Sequence, residues 1–305
     1  MAVEERLTSL GRAWGRAGFR VGFWWRRWWA DQVFLVQLGS SSLRPSGLGA
    51  LAGRAALARR VVREGAAAAA DDALLAAYVP LVAAHYAPGG RGYATLASLD
   101  AEQARARYER QGSRLRPFID AYPHLLGYRD GETFLDLGCG TGQNVRELLT
   151  RFPTSTVHAL DVNADAIGFL ARVAASPHLR TQVGSFADDA TLRAVLDAAE
   201  ADHVVISHAL STLYCDSVTG TRAMLHALLG RVTATHVRSL IVIDSFASRG
   251  RTAVAIEQRT RLRLAHDVLS LLDDTPGGRA HLVNQPAPYG SPGSQAVIWT
   301  RLRTT

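Results

Sequence analysis

The sequence predicts an α/β fold: a doubly wound sheet of seven strands, preceded by a helical N-terminal region. Two patterns carry that expectation. From about residue 133 onward, short apolar runs alternate with stretches of helical periodicity, and strands separated by helices pair in parallel through crossovers. The first of these runs also ends in glycines at every second position, Gly138, Gly140 and Gly142, before the helical spacing of Val145, Leu148, Leu149 and Phe152 begins. Strand, tight turn and helix start therefore follow one another directly.

The run from Thr133 is the first strand, and Thr156–Leu160 is the second, ending in Asp161. Asn163 is a good N-cap for a helix through Ile167, Leu170 and Val173. Thr181–Val183 is a third strand, leading through Gly184-Ser185-Phe186-Ala187-Asp188 to a helix that carries Leu192, Val195 and Leu196. The fourth, His203–Ser207, opens into the loop His208–Tyr214, and Met224, Leu225, Leu228 and Leu229 mark the helix after it. Arg238–Asp244 is the fifth strand and Arg251–Leu272 a long helical segment. His281–Asn284 and Gln295–Thr300 are the last two strands, close enough to form a hairpin through a Pro/Gly-rich loop.

Ahead of the sheet, residues 1–38 are rich in arginine and aromatics, with Trp24-Trp25-Arg26-Arg27-Trp28-Trp29 at their centre. Ser40–Gly47 has the turn formers of a connector, and an alanine-rich helical stretch then runs to Tyr86. Ser98–Phe118 reads as one further helix, with Glu102 in its first turns and Tyr108, Leu115 and Phe118 along it. The chain thus divides into a helical region, 1–115, and a sheet domain, 116–305.

Composition narrows the chemistry. All 34 basic residues are arginine, so neither a Schiff base nor a lysine general base is available. The two cysteines, Cys139 and Cys215, make neither a disulfide framework nor a cysteine metal cluster, and a reducing cytoplasm fits best. Residues 1–64 hold eleven arginines against four acids, which accounts for the whole formal charge of +7. Attraction to phosphates or lipid headgroups is therefore confined to that stretch. Its apolar run is too short to span a bilayer, and no signal-peptide cleavage pattern follows it. Tryptophan with arginine suits a membrane interface, whereas the plainer alternative packs these rings on the rest of the chain or a second subunit. A nucleic-acid partner is not expected.

Glycine loops serve several ligands. The dinucleotide fingerprint wants its third glycine at position 143, which is Gln, and the phosphate-binding P-loop needs a lysine that this chain lacks. An acid at the tip of the second strand, Asp161, is placed to accept hydrogen bonds from a ribose diol.

Leu135-Asp-Leu-Gly-Cys-Gly-Thr-Gly142, with Asp161 about 20 residues on, resembles the first motif and ribose-binding acid of class I S-adenosylmethionine-dependent methyltransferases. The resemblance runs from about Arg116 onward. It implies a mostly parallel sheet with an antiparallel last strand inserted beside the sixth. It also implies S-adenosylmethionine as cofactor, S-adenosylhomocysteine as product, and no metal. Asp136, Gly138, Cys139, Gly140 and Gly142 would surround the amino-acid half of the cofactor, Asp161 its ribose, and Val162, Ser185, Phe186 and Ala187 its adenine. Ser207 would reach the cofactor from the fourth strand. His208 is the best-placed general base for a hydroxyl acceptor, and Tyr214 shares its loop and would orient that acceptor. Tyr108 and Arg114, just before the sheet domain, are further pocket candidates, since N-terminal extensions in the family often lid the site or mediate dimerisation.

The loop after the fourth strand lacks the Asn/Asp-Pro-Pro-aromatic sequence of amino-methylating DNA enzymes. Neither cysteine has the Pro-Cys context of cytosine-C5 methylation, and no paired-glutamate loop of arginine methyltransferases is seen. A small-molecule acceptor, a secondary metabolite or hydrophobic compound, is left as the expectation. The alternative is a membrane-peripheral or partner-binding protein that keeps the cofactor fold without methyl transfer.

Overall fold

The computed structural model of this chain describes residues 96, 98–174, 176–213, 218–245, 267–284 and 294–302. Residues 1–38, the alanine-rich stretch, Tyr214 and most of the Arg251–Leu272 segment lie outside the described residues.

The strand that precedes the glycine loop, β1 (Thr133–Leu137), is buried from Phe134 through Leu137. A strand buried on both faces has to be central. It pairs in parallel with β2 (Thr156–Asp161) on one side and β4 (His203–Ser207) on the other. Beyond β2 lies the more exposed edge strand β3 (Leu179–Val183), and beyond β4 lies β5 (Ser239–Ser245), both parallel to their neighbours. The last two strands, β6 (Gly278–Asn284) and β7 (Ser294–Arg301), form an antiparallel pair, with β7 also antiparallel to β5. The sheet order is therefore β3-β2-β1-β4-β5-β7-β6, with seven strands and an antiparallel last strand inserted beside the sixth, as expected.

Helices fill the crossovers. The segment α4 (Gln143–Arg151) follows β1, α5 (Ala164–Val173) follows β2, α6 (Asp189–Ala199) follows β3, and α7 (Val218–Ala234) lies between β4 and β5. A further helix, α8, covers residues 267–273. Asn163 caps α5 by accepting hydrogen bonds from the amides of Asp165 and Ala166, and Asp188 caps α6 through the Thr191 amide at 2.8 Å.

The single helix expected over Ser98–Phe118 is broken in two. Asp100 starts α1 (Ala101–Arg110) with a capping box to Gln103, and the chain leaves helical geometry at Gln111. It resumes as α2 (Arg116–Ala121), followed by the short α3 (Pro123–Leu126). The cause is Pro117 in the first turn of α2: deeper in a continuous helix it would lack an N–H and clash with the preceding turn. Leu96, Ala104, Tyr108, Leu115 and Phe118 from this region share one core with Phe169, Leu170 and the sheet residues Ile241, Ile243 and Ile298.

Two strand starts also differ from expectation by more than one residue. β3 begins two residues earlier, at Leu179, and β6 begins three earlier, at Gly278, where the indole of Trp299 lies against the backbone. A Cβ at position 278 would stand 2.0 Å from Trp299 Cε2, so only glycine admits this approach.

Candidate cofactor site

In an open α/β sheet, ligands bind past the carboxyl ends of the strands where the strand order reverses. Here that point lies between β1 and β4. The loops after β1, β2, β3 and β4 converge on a cavity of about 520 Å³, within the range of small-molecule sites.

The glycine loop forms one wall. Gly138 has φ +76°, and a Cβ there would stand 2.3 Å from Ala209 Cβ, so the loops after β1 and β4 meet at this position. Gly142, at φ +81°, starts α4 in left-handed geometry, and a side chain on it would strike Leu170 at 2.3 Å. Gly138, Cys139, Gly140 and Thr141 face the cavity, whereas Gly142 packs behind it on α5. Cys139 is buried, and burial pushes its thiol well above the ordinary value, which keeps it in the unreactive protonated form.

Two carboxylates support this loop from different depths. Asp161 accepts a hydrogen bond from the Gly140 amide at 2.8 Å on one oxygen and from the Asn163 amide at 2.8 Å on the other. Burial raises its pKa, and those two amides oppose the rise. Each oxygen keeps acceptor capacity toward the cavity that Asp161 lines. Asp136, at the end of β1, is fully buried beneath the loop and does not face the cavity directly. No hydrogen bond of normal geometry reaches either of its oxygens among the described residues. Burial, and then the neighbouring Asp161 charge, push Asp136 up to about 7, an effect Asn144 partly offsets. A cationic group above the loop would remove that penalty. This acid and the glycine-loop backbone that lines the cavity fit the amino-acid half of S-adenosylmethionine.

The remaining sequence candidates divide. Val162 is 53% exposed at the rim, and Phe186 is buried against the loop. Ser185 and Ala187 do not line the cavity, and the Ala187 amide donates to Ser185 Oγ at 3.2 Å. Ser207 and His208 face the cavity from β4. His208 has φ +53°, a costly conformation for a non-glycine residue of a kind that collects at functional sites, and its amide donates to the Ile243 carbonyl at 2.9 Å. Among the described residues no group of three or more His, Cys, Asp or Glu could hold a metal ion.

Arg107, Gln111 and Arg114 close another side of the cavity, from the segment ahead of the sheet. Arg114 stands where the sequence places a pocket residue, but Tyr108 turns into the core. There its ring lies 5.8 Å from the Arg146 guanidinium carbon, and burial pushes its phenol up to about 12. Arg107 and Gln111 carry no sequence signal, because they precede the motif by some 30 residues and only folding brings them to it. Gln143 and Asn144, at the start of α4, also line the cavity and adjoin the motif.

Residues 134–230 match the family described as "Methyltransferase domain". Together with the strand order, this supports the class I S-adenosylmethionine-dependent methyltransferase expected from the sequence, with S-adenosylmethionine as cofactor and S-adenosylhomocysteine (SAH) as product. Among solved structures, the plantazolicin methyltransferase BpumL in complex with a triazolic desmethylPZN analog and SAH is similar over 77% of this chain and 100% of that one, at 11% identity and a TM-score of 0.52. The plantazolicin methyltransferase BamL, in complex with a triazolic desmethylPZN analog and SAH, is similar over 77% of this chain and 99% of that one, at 11% identity and a TM-score of 0.50. At such identity the likeness is one of fold. No curated protein matches the chain in sequence.

Proposed function

We propose that this enzyme methylates a small molecule, a secondary metabolite or other hydrophobic compound, in the cavity past β1, β2 and β4. The observation that carries the reading is the continuity of one space of about 520 Å³ from the glycine loop and Asp161 to Ser207 and His208. The bound cofactor supplies a methyl group on a cationic sulfur, ready for in-line displacement.

The chain's own part is to bind, align and exclude water. Asp161 accepts hydrogen bonds from the ribose hydroxyls, and Val162 and Phe186 pack on the adenine. The backbone at Gly138, Cys139 and Gly140 lies along the amino-acid half, and Asp136 supports that loop with negative charge. Gly142 starts the helix behind it, Ser185 and Ala187 shape the turn beside the adenine, and Ser207 borders the sulfur end. His208 takes the proton of an acceptor hydroxyl, and Tyr214 orients the acceptor. Residues 116–305 carry this chemistry, and the helical region 1–115 lids the site, mediates dimerisation or touches a membrane.

Calorimetry with SAH tests the cofactor reading: binding is expected, weakened at least about tenfold in Asp161→Ala, and absence of binding sinks it. His208→Ala is expected to keep SAH affinity while turnover of a hydroxyl acceptor falls by about 10²- to 10⁴-fold. Full turnover in that variant removes the general-base role. If SAH binds but no acceptor in a broad small-molecule panel is methylated, the non-methylating, partner-binding alternative replaces the proposal.

A further inference from the structure

Asn144, the second residue of α4, is buried and serves two neighbours. Its Oδ1 accepts from Ser113 Oγ and from the Leu115 amide, each at 3.2 Å. A backbone N–H can only donate, so the Leu115 amide fixes the oxygen toward residues 113–115 and leaves the two N–H donors of Nδ2 for another partner. Asp136 is the group those donors suit. Asn144 is the neighbour that favours its charged form, although no hydrogen bond of normal geometry joins them.

Asn144 thus stands between a buried carboxyl and the segment 107–115, which walls the cavity with Arg107, Gln111 and Arg114. The same segment is held by Thr141, whose Oγ1 donates to Gln111 Oε1 at 3.0 Å, and by the Arg146 guanidinium, which donates to the carbonyls of Glu109 and Gln111. Those two contacts join neutral or permanently charged groups. Of the three, Asn144 alone adjoins a group whose charge changes near neutral pH. An ionised carboxylate only accepts, and its charge-assisted hydrogen bonds are about twice as strong as neutral ones. The other groups around Asp136 are few. Its sheet partners Ala159 and Val205 are apolar. Asp161, at the end of β2, opposes its ionisation. Burial raises the Cys139 thiol and the Tyr128 phenol, which therefore stay neutral, and His208 lines the same cavity.

We propose that Asn144 is a positioning residue that transmits the ionisation of Asp136 to residues 107–115, so that this wall of the cavity is held more firmly when the carboxyl beneath the glycine loop is charged. A cation above the loop favours the charged form, so the wall tightens as such a group enters. That consequence rests on the reading of the cavity as an S-adenosylmethionine site, whereas the device itself operates without ligand.

Amide hydrogen exchange on the ligand-free full chain, followed by mass spectrometry from about pH 5.5 to about pH 8.5 and corrected for the intrinsic pH dependence of exchange, provides the test. Protection of the 107–115 segment is read relative to that of β1, which separates local tightening from any change in global stability. In the unaltered protein this ratio is expected to rise by about 5- to 20-fold across the range. Asp136→Asn keeps the shape without titrating, and its ratio should stay level. Asn144→Ala, which removes the bridge, should be level and lower throughout, and Asn144→Ser, which retains a small polar side chain, is read in the same way should the alanine variant not fold. A ratio in the unaltered protein that is level or falls with pH overturns the proposal. So does a rise that persists in Asp136→Asn, which would place its origin in Asp161 or His208. A lowered ratio in the Asn144 variants that keeps the full rise with pH shows Asn144 to be a structural tie alone, and overturns it as well.

Discussion

Asp136 is the residue where the cost of the site is concentrated. It lies one residue before the end of a strand buried on both faces, near a second carboxylate, and its pKa of about 7 means that ionisation opposes folding. The sign follows from linkage: a raised folded-state pKa gives stability that is full below the unfolded carboxyl value, near 4, and is lost as pH rises toward about 7. Asp136→Asn removes the titration while keeping the shape. In the absence of cofactor, its stability relative to the unaltered protein is expected to rise between pH 4 and pH 8, by on the order of 1–3 kcal/mol. Urea midpoints across that range check it, and a flat difference would show that the buried acid is already compensated. The same substitution removes the negative charge beneath the glycine loop.

At the scale of elements, glycines on both sides of the sheet make room for the protein itself. On the β1–β4 side, Gly138 admits Ala209, which brings two loops to touching distance at the mouth of the cavity. On the β6–β7 side, the fully buried Trp299 occupies the space a side chain on Gly278 would need. Gly278→Ala is therefore expected to cost about 1–3 kcal/mol by forcing the indole or the strand start to shift. Urea unfolding followed by circular dichroism measures that loss, with SAH affinity largely retained because the hairpin is remote from the glycine loop in strand order. An unchanged midpoint would mean that the start of β6 gives way freely.

Across the whole molecule, the end of the sheet opposite the cavity holds a buried polar cluster of its own. His203, 1% exposed, is hydrogen-bonded through Nδ1 to Ser239 Oγ and through Nε2 to Glu132 Oε2, each at 2.8 Å. Glu132 is also paired with Arg238, which reaches Asp202 at 3.2 Å, and Asp202 accepts from the Thr133 amide. The triad-like order Ser–His–Glu is structural here, joining the starts of three strands beneath the rings of Tyr128 and Phe134. Burial lowers the His203 pKa despite the Glu132 contact. Its share of stability is thus present above the unfolded histidine value, near 6.5, and lost as pH falls below it. The stability deficit of His203→Gln should accordingly shrink between pH 7 and pH 5, by no more than about 1.4 kcal/mol per pH unit, and a deficit constant with pH would refute this. This dependence is opposite in sign to that of Asp136, so differences between variants separate the two. Among the described residues no helix is long and apolar enough to cross a membrane. The membrane proposal for residues 1–38 is tested by co-sedimentation with anionic vesicles, where deleting the Trp/Arg stretch should abolish pelleting. Unchanged pelleting removes it.

The sequence alone determined the sheet and its principal loop. Seven apolar runs, the alternating glycines and Asp161 are local patterns, and each reports the burial or backbone geometry of its own few residues. The end of the helix before Gly112 was missed because 3.6-residue periodicity continues across it, although Pro117 was visible. What only the tertiary structure decided is which remote groups meet. Arg107 and Gln111 reach the cavity because Thr141, Asn144 and Arg146 bind the segment 107–115, contacts across about 30 residues of sequence that no local pattern records. Gly278 is needed because of Trp299, and Tyr108 packs inward because Arg146 and the α5 core receive it. Periodicity encodes which face of an element is buried, whereas a binding site is a meeting of several elements, and its partners are fixed only when the chain closes.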